Sequence, residues 1–303
     1  MVTIPSYEDP ILVKTLDKLF AKARHPERIT VAVGMQYKEK PHGWSQNRKN
    51  QDIKYIIYDI KNRPGVNRIR RQLLRFFKHD YLLMVDSHSD FDSGWDENII
   101  KHYKDLQSEY GPKMILSKPC TDMVGDLSDR DDMFYKEGVT WYLQDQGSLW
   151  SDLFPSVGPR ILPDGRSSYW TGYICCHFMF TNKSWVTEVG ISEVTHAYCE
   201  EPLLSYSSYA AGWDVYSIPG YNHVAHLDRA YNLARYGTEF VERKDKNFGG
   251  DDSPEVKDMV NNYILYGNGD SFVKPLPDRM PESFFELIGL PEALPVLRNR
   301  FKT

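Results

Sequence analysis

The sequence predicts an α/β fold in which a mixed, mostly parallel sheet is flanked by helices. Two observations carry this. The first 36 residues read as strand, helix, strand, the unit from which parallel sheets are built. Further on, Tyr81-Leu82-Leu83-Met84-Val85 is a continuous apolar run bounded by polar turn residues, as expected of a strand buried on both faces.

Taken in order, Val2-Thr3-Ile4 is a short strand that ends at Pro5 to Pro10. Asp9 before Pro10 is a helix-start signal, an N-cap followed by proline at the first helical position. Leu12, Leu16, Leu19, Phe20 and Ala23 then share one helical face. Ile29 to Val33 is the next strand and runs into Gly34-Met35-Gln36; Ile53 to Tyr58 is another, after a polar loop from Tyr37 to Asp52. Gly65 to Lys78 predicts a helix with Ile69, Leu73, Leu74, Phe76 and Phe77 on its apolar side. Arg68, Arg70, Arg71 and Arg75 give it a basic face, mostly solvated, with one or two arginines near the helix start placed to reach an anionic ligand. A helix from Asp96 is closed by Gly111, and Met114 to Ser117 is a strand.

Cys120 to Arg166 has little periodicity and many Asp, Gly and Pro residues. The expectation is a substrate-facing excursion with some short helices. Tyr173 to Phe180 reads as an apolar strand, entered through Tyr169-Trp170-Thr171-Gly172. Glu200-Glu201-Pro202 opens a helix that runs to Gly212, and Trp213 to Ile218 is a strand followed by His223 and His226. From about Arg235 the sequence turns polar, through Gly249-Gly250-Asp251-Asp252, and then becomes helical again.

The chemistry centres on the end of the Tyr81–Val85 run. In an open α/β sheet, ligands bind outside the carboxyl ends of the strands. Asp86 and His88 leave the core there, and on an extended backbone they point to the same side. A carboxylate and an imidazole together suit a divalent cation of the manganese type. An Asp that merely caps a strand and a structural His are the competing explanation. Asp86, His88, Asp90 and Glu97 also fall at positions of a calcium-binding EF-hand loop, but Phe91 stands where that loop needs glycine and a strand precedes it, so that reading is rejected.

A net charge of -5 gives no global basic field for nucleic acid. The 20 Tyr and 7 Trp suit stacking on sugars or bases, although cores use the same residues. Cys120, Cys175, Cys176 and Cys199 show no metal-binding spacing and no secretory framework. With no signal-peptide pattern and no apolar stretch of transmembrane length, the expectation is a cytoplasmic protein with no membrane partner.

These residues resemble the GT-A-fold glycosyltransferases, most closely the "glycosyltransferase (GlcNAc)" family, which includes cytoplasmic polypeptide α-N-acetylglucosaminyltransferases that modify hydroxyproline. The resemblance begins at Ile4 to Pro10, continues through Ala32 to Gln36 and Gly65 to Arg70, and is most specific from Val85-Asp86-Ser87-His88 through Phe91 to Gly94-Trp95-Asp96. It ends with Glu200-Glu201 and a His near Val224-Ala225-His226. Glu8, Val66, Ile69 and Cys199 depart from the family pattern, where Arg, Pro, Ala and Gly are usual.

The resemblance implies a GT-A (Rossmann-like nucleotide-diphospho-sugar transferase) catalytic domain over 1–235 and a C-terminal extension, 236–303, packed on it. It implies transfer of GlcNAc or a related hexose from a UDP-sugar to a hydroxyl acceptor, with Mn²⁺ (or Mg²⁺) and retention of configuration. Asp86, His88 and His226 would hold the metal, with His223 as rival to His226. Ser6, Tyr7 and Gln36 would meet the uridine, Ser87 the donor, and Arg70 the diphosphate or the metal-motif loop. Trp170 and Gly172 would shape the sugar or acceptor pocket. Glu201, and beside it Glu200, would act at the reacting centre. A protein hydroxyl is the favoured acceptor, and a hydroxymethylated pyrimidine in DNA the alternative. A metal-dependent phosphohydrolase and a non-catalytic carbohydrate-binding module remain as other classes.

Overall fold

The computed structural model describes residues 1–38, 43–45, 48–59, 64–117, 121–123, 139–150, 154–161, 169–170, 172–192, 200–217, 223–227, 254–270, 272–288 and 290–300. Cys120, Cys199, the stretch from Arg235 to Asp252 and most of the Cys120 to Arg166 excursion lie outside them.

The chain opens with β1 (Val2–Tyr7), α1 (Leu12–Ala21), β2 (Thr30–Gln36) and β3 (Asp52–Tyr58). Helix α1 buries Leu12, Thr15, Leu16, Leu19 and Phe20, a single stripe at helical spacing. Every residue of β2 is buried, as befits a strand covered on both faces. Then come α2 (Val66–Leu73), β4 (Tyr81–Val85), β5 (Ser89–Phe91), α3 (Trp95–Tyr110) and β6 (Met114–Ser117). Helix α2 crosses β2 at Gly34, where any Cβ would run into the Ile69 side chain, so only glycine allows that approach.

The excursion supplies β7 (Thr121–Met123) and an antiparallel pair, β8 (Val139–Trp150) with β9 (Phe154–Ile161). Where it is described it is strand, not the short helices expected. Next are β10 (Tyr169–Trp170), β11 (Phe178–Asn182), α4 (Lys183–Glu188), α5 (Glu200–Ala210), β12 (Asp214–Ser217) and β13 (Val224–Leu227). The chain closes with α6 (Pro254–Tyr266), α7 (Pro281–Leu287) and α8 (Ala293–Arg300).

Among the described residues, eight strands form the central sheet in the order β10-β12-β6-β11-β4-β1-β2-β3. The pairs β4-β1, β1-β2, β2-β3 and β12-β6 are parallel; β11 runs antiparallel to both β4 and β6. After β3 the chain returns to the other side of β1. The carboxyl ends of β1 and β4 therefore flank the point where strand order reverses, the usual place for a ligand crevice. Apolar clusters fill both faces of the sheet, one under α1 and α3 and the other under α2, α4 and α5. A third joins α5 to α6, α7 and α8.

One expected strand breaks differently. Tyr173 to Phe180 is not a single strand: β11 begins only at Phe178, after a turn in which the Phe178 N–H donates to the Cys175 carbonyl at 3.2 Å. The hydroxyl of Ser117 holds this turn, 2.7 Å from the Cys175 N–H and close to the Cys175 and Phe178 carbonyls.

Candidate functional site

The site grows from the carboxyl ends of β1 and β4. After Tyr7 the backbone kinks at Glu8, whose φ of 42° is in the left-handed region, while its N–H still bonds the Gln36 carbonyl at 2.9 Å. The kink precedes a buried Asp9. The regular helix α1 starts only at Leu12, but Asp9 still makes the capping bond expected of it, at the turn that leads into the helix. Its Oδ1 accepts the Ile11 N–H at 2.9 Å, and its Oδ2 lies 2.6 Å from Ser87 Oγ and 2.7 Å from His88 Nδ1. Burial works against the charged carboxylate. The His88 hydrogen bond and charge, the Ser87 hydroxyl and the Ile11 N–H outweigh it and hold Asp9 below the usual carboxylate range.

Asp86 stands at the mouth of the crevice, its side chain 20% exposed. Its Oδ2 lies 3.8 Å from His88 Nε2 and 3.7 Å from His177 Nε2. The structure therefore keeps Asp86 and His88 together, as expected, and adds His177, which the turn before β11 delivers. His226 pairs with Ser89 across β13 and β5, one position from His88; its side chain lies outside the description. His223 goes elsewhere: its Nδ1 is 3.4 Å from Asp92 Oδ2 and its ring packs on His102.

The other wall is charged and buried. Arg70, on α2, is almost fully buried, not part of a solvated basic face. Its Nε lies 2.7 Å from Glu200 Oε1 and its Nη2 3.6 Å from Asp86 Oδ1. Burial opposes the guanidinium charge, but the Glu200 carboxylate, and then Asp86, outweigh it. Glu200 is raised by burial and by Asp86 against the pull of Arg70. Glu201 takes the Cys176 N–H on its Oε1 at 2.9 Å. Burial, with Glu200 and Asp86 nearby, pushes it up to about 7 despite that bond, so it changes charge within the neutral range. Both glutamates begin α5, as the sequence implied.

Ser6, Tyr7 and Gln36 lie at the ends of β1 and β2, Tyr7 opposite Gln36 in the ladder. Ser6 Oγ is 2.7 Å from the hydroxyl of Tyr37, which also donates to the Asp9 carbonyl at 2.7 Å and accepts the Asp9 N–H at 3.0 Å. The backbone of Trp170 pairs with Tyr216, and its side chain lies outside the description. Gly172, at φ 67°, has Leu287 of α7 against it, so it serves the docking of the C-terminal helices.

A divalent cation fits this donor set in part. Asp86 offers a carboxylate oxygen, and His88, held at Nδ1 by a carboxylate, presents Nε2 toward it. Among the described residues, no group of three His, Cys, Asp or Glu side chains is arranged to hold an ion. A third donor would be His177 after a shift, or His226. Asp9, Tyr37 and His177 were missed from the sequence. Asp9 and His88 are 79 positions apart, and no spacing rule joins them.

The family model "Glycosyltransferase (GlcNAc)" matches residues 45–233. That stretch holds Arg70, Asp86, His88, His177, Glu200 and Glu201 and leaves out Ser6, Asp9 and Gln36. No curated protein matches the chain. Among solved structures, S. aureus TarS residues 1–349 is similar at 14% identity, covering 98% of this chain and 82% of that one with a TM-score of 0.45. The same fragment in complex with UDP-GlcNAc is similar at 13% identity, with the same coverage and TM-score.

Proposed function

Because the chain belongs to the glycosyltransferase (GlcNAc) family, we propose that it moves a sugar from a UDP-sugar to a hydroxyl acceptor, with a divalent cation, in the crevice between β1 and β4. The observation that carries this is Asp86, a carboxylate at the switch point with His88 and His177 nitrogens within 3.8 and 3.7 Å. Mn²⁺ would be held by Asp86 and His88, with His177 or His226 as third protein ligand. When bound, the cation supplies Lewis-acid neutralisation of the charge that builds on the departing diphosphate.

The chain's own residues do the rest. Ser6, Tyr7 and Gln36, at the ends of β1 and β2, would meet the uracil and ribose. Arg70 is too enclosed to clamp a phosphate: it fixes Asp86 and Glu200 in place. With Glu200 spent on that pair, Glu201 is the carboxyl left for the sugar or the acceptor hydroxyl. In its protonated form it donates a hydrogen bond, and in its ionised form it stabilises positive charge on the sugar ring. A protein hydroxyl is the acceptor favoured by family, GlcNAc the first donor to try, and retention the expected outcome.

The test is release of UDP from UDP-GlcNAc by the purified protein. It should need Mn²⁺ and vanish in Asp86→Ala. Release that persists in chelator, or in that variant, would overturn the cation assignment.

A further inference from the structure

We propose that Ser205 is a positioning residue for Glu201: its hydroxyl ties the first turn of α5 to the 174–177 segment before β11 and so fixes where the Glu201 carboxyl stands in the crevice. This rests on the reading of Glu201 as the carboxyl that meets the sugar or the acceptor hydroxyl.

The segment is held by side chains. Most backbone N–H groups in a folded protein bond to backbone carbonyls. Here three successive N–H groups go to side-chain oxygens instead. Ile174 donates to Ser205 Oγ at 2.8 Å, Cys175 to Ser117 Oγ at 2.7 Å and Cys176 to Glu201 Oε1 at 2.9 Å. Two elements therefore grip the segment, β6 through Ser117 and α5 through Ser205 and Glu201. A serine hydroxyl has one proton. That of Ser205 goes to the Glu201 carbonyl, one helical turn back, at 2.6 Å, and its oxygen then accepts from Ile174. Glu201 is thus fixed twice against the segment, its main chain through Ser205 and Ile174 and its carboxyl through Cys176.

Packing alone does not call for a serine at this position. Ser205 is fully buried, on a helix that buries every residue from Pro202 to Ala210. Alanine is the better helix former, and a serine bonded to the carbonyl four residues back slightly weakens a helix. What the hydroxyl joins accounts for it. Ser208 is the structural counterpart on the same helix. It is equally buried, but its hydroxyl accepts the Trp185 Nε1–H of α4 at 2.9 Å.

The experiment compares Ser205→Ala with Ser208→Ala. Each strands one buried N–H, so both should lower the melting temperature. Only Ser205→Ala should change turnover. Its kcat for UDP release from UDP-GlcNAc with Mn²⁺ should fall about 10- to 100-fold, with KM within about threefold, because Ser117 still holds the segment on the cation side. Amide hydrogen exchange gives a readout that needs no activity. In Ser205→Ala the Cys176 N–H should exchange at least about tenfold faster as the Glu201 carboxyl loosens, while Cys175, bonded to Ser117, keeps its rate. Ser205→Cys, close in size but a weak donor and acceptor, should fall between wild type and alanine in both readouts, and it decides if the alanine variant does not fold. Wild-type Cys176 exchange or wild-type kcat in the deciding variant overturns the proposal, as does an equal loss of kcat in Ser208→Ala. Faster Cys176 exchange in Ser205→Ala, when wild type itself releases no UDP, would sink the sugar-transfer reading of Glu201 and leave the hold of Ser205 on it standing.

Discussion

Helix α5 serves two unlike regions. Its first turn puts Glu200 and Glu201 into the crevice, where Asp9, Arg70, Asp86 and His88 also lie within or beside the core. Farther along, Leu203, Tyr206, Tyr209 and Ala210 pack on α6, α7 and α8 in a cluster of aromatic and aliphatic side chains. There Tyr206 lies 5.0 Å from Tyr263 and 5.4 Å from Phe284, ring to ring, while Arg298 and Glu282 pair at the edge. The C-terminal layer is built the way stability is built, from apolar area and ring contacts. The crevice is not. Burying charges costs several kcal/mol per ion before pairing offsets it. A fold that accepts this cost at one end of a helix and avoids it along the rest marks that end as the working one.

The largest effect that would break this contrast is in the crevice. Asp86→Ala should lower transfer by about a thousandfold or more, since it removes cation-based charge stabilisation worth several kcal/mol in the transition state. Melting temperature should hardly move, because Asp86 is more exposed than Arg70, Glu200 or His88. A comparison of turnover and thermal melts checks both. In the C-terminal layer, Phe284→Ala should do the reverse. It should cost about 3–5 kcal/mol of stability by denaturant titration and leave turnover per folded molecule near wild type. Arg70→Ala should sit with Phe284→Ala in stability, at about 3–5 kcal/mol, because it removes the partner of the buried Glu200 carboxylate, but unlike Phe284→Ala it should also abolish activity.

The outline of the fold was legible because local signals agreed with the tertiary outcome. Helix α3 ends at Gly111, whose φ of 95° suits glycine, and the apolar run Tyr81–Val85 is a strand to the residue. The mixed, mostly parallel sheet flanked by helices is the α/β arrangement that the sequence predicted. The site was legible where it is contiguous: Asp86 with His88, and Glu200 with Glu201. It failed where one hydrogen bond decides between two plausible local structures. Asp9-Pro10 has the form of a helix start, and Asp9 Oδ1 does accept the Ile11 N–H, but its second oxygen turns to Ser87 and His88, which local sequence does not show. Tyr173 to Phe180 has the composition of one strand, yet the Ser117 hydroxyl, some sixty positions earlier, holds the turn that brings His177 to Asp86. Arg70 looks like its neighbours Arg68 and Arg71, and only the fold selects it for burial.

Two smaller effects sharpen the contrast. His177→Ala should weaken Mn²⁺-dependent UDP binding about tenfold if His177 donates to the cation; unchanged affinity would leave His226 as the third donor. Glu201 gives a pH signature. Its carboxyl shifts from 4.5 to about 7 on folding, first because of burial. Below pH 4.5 both folded and unfolded chains keep the proton and its contribution is at its maximum. Between pH 4.5 and 7 the unfolded chain ionises first, so stability falls as pH rises. Above 7 it levels off, with a total loss on the order of 3 kcal/mol. Glu201→Gln should flatten that decline in denaturant titrations across the range. An unchanged slope would assign it to other groups.

The most direct test of the central claim is calorimetric titration of UDP into the protein with Mn²⁺ and again with chelator. The crevice at Asp86 and His88 predicts binding with Mn²⁺ and at least about tenfold weaker binding in chelator. UDP bound equally well under both conditions would contradict the cation site, and no binding under either would contradict the assignment of this crevice to a UDP-sugar.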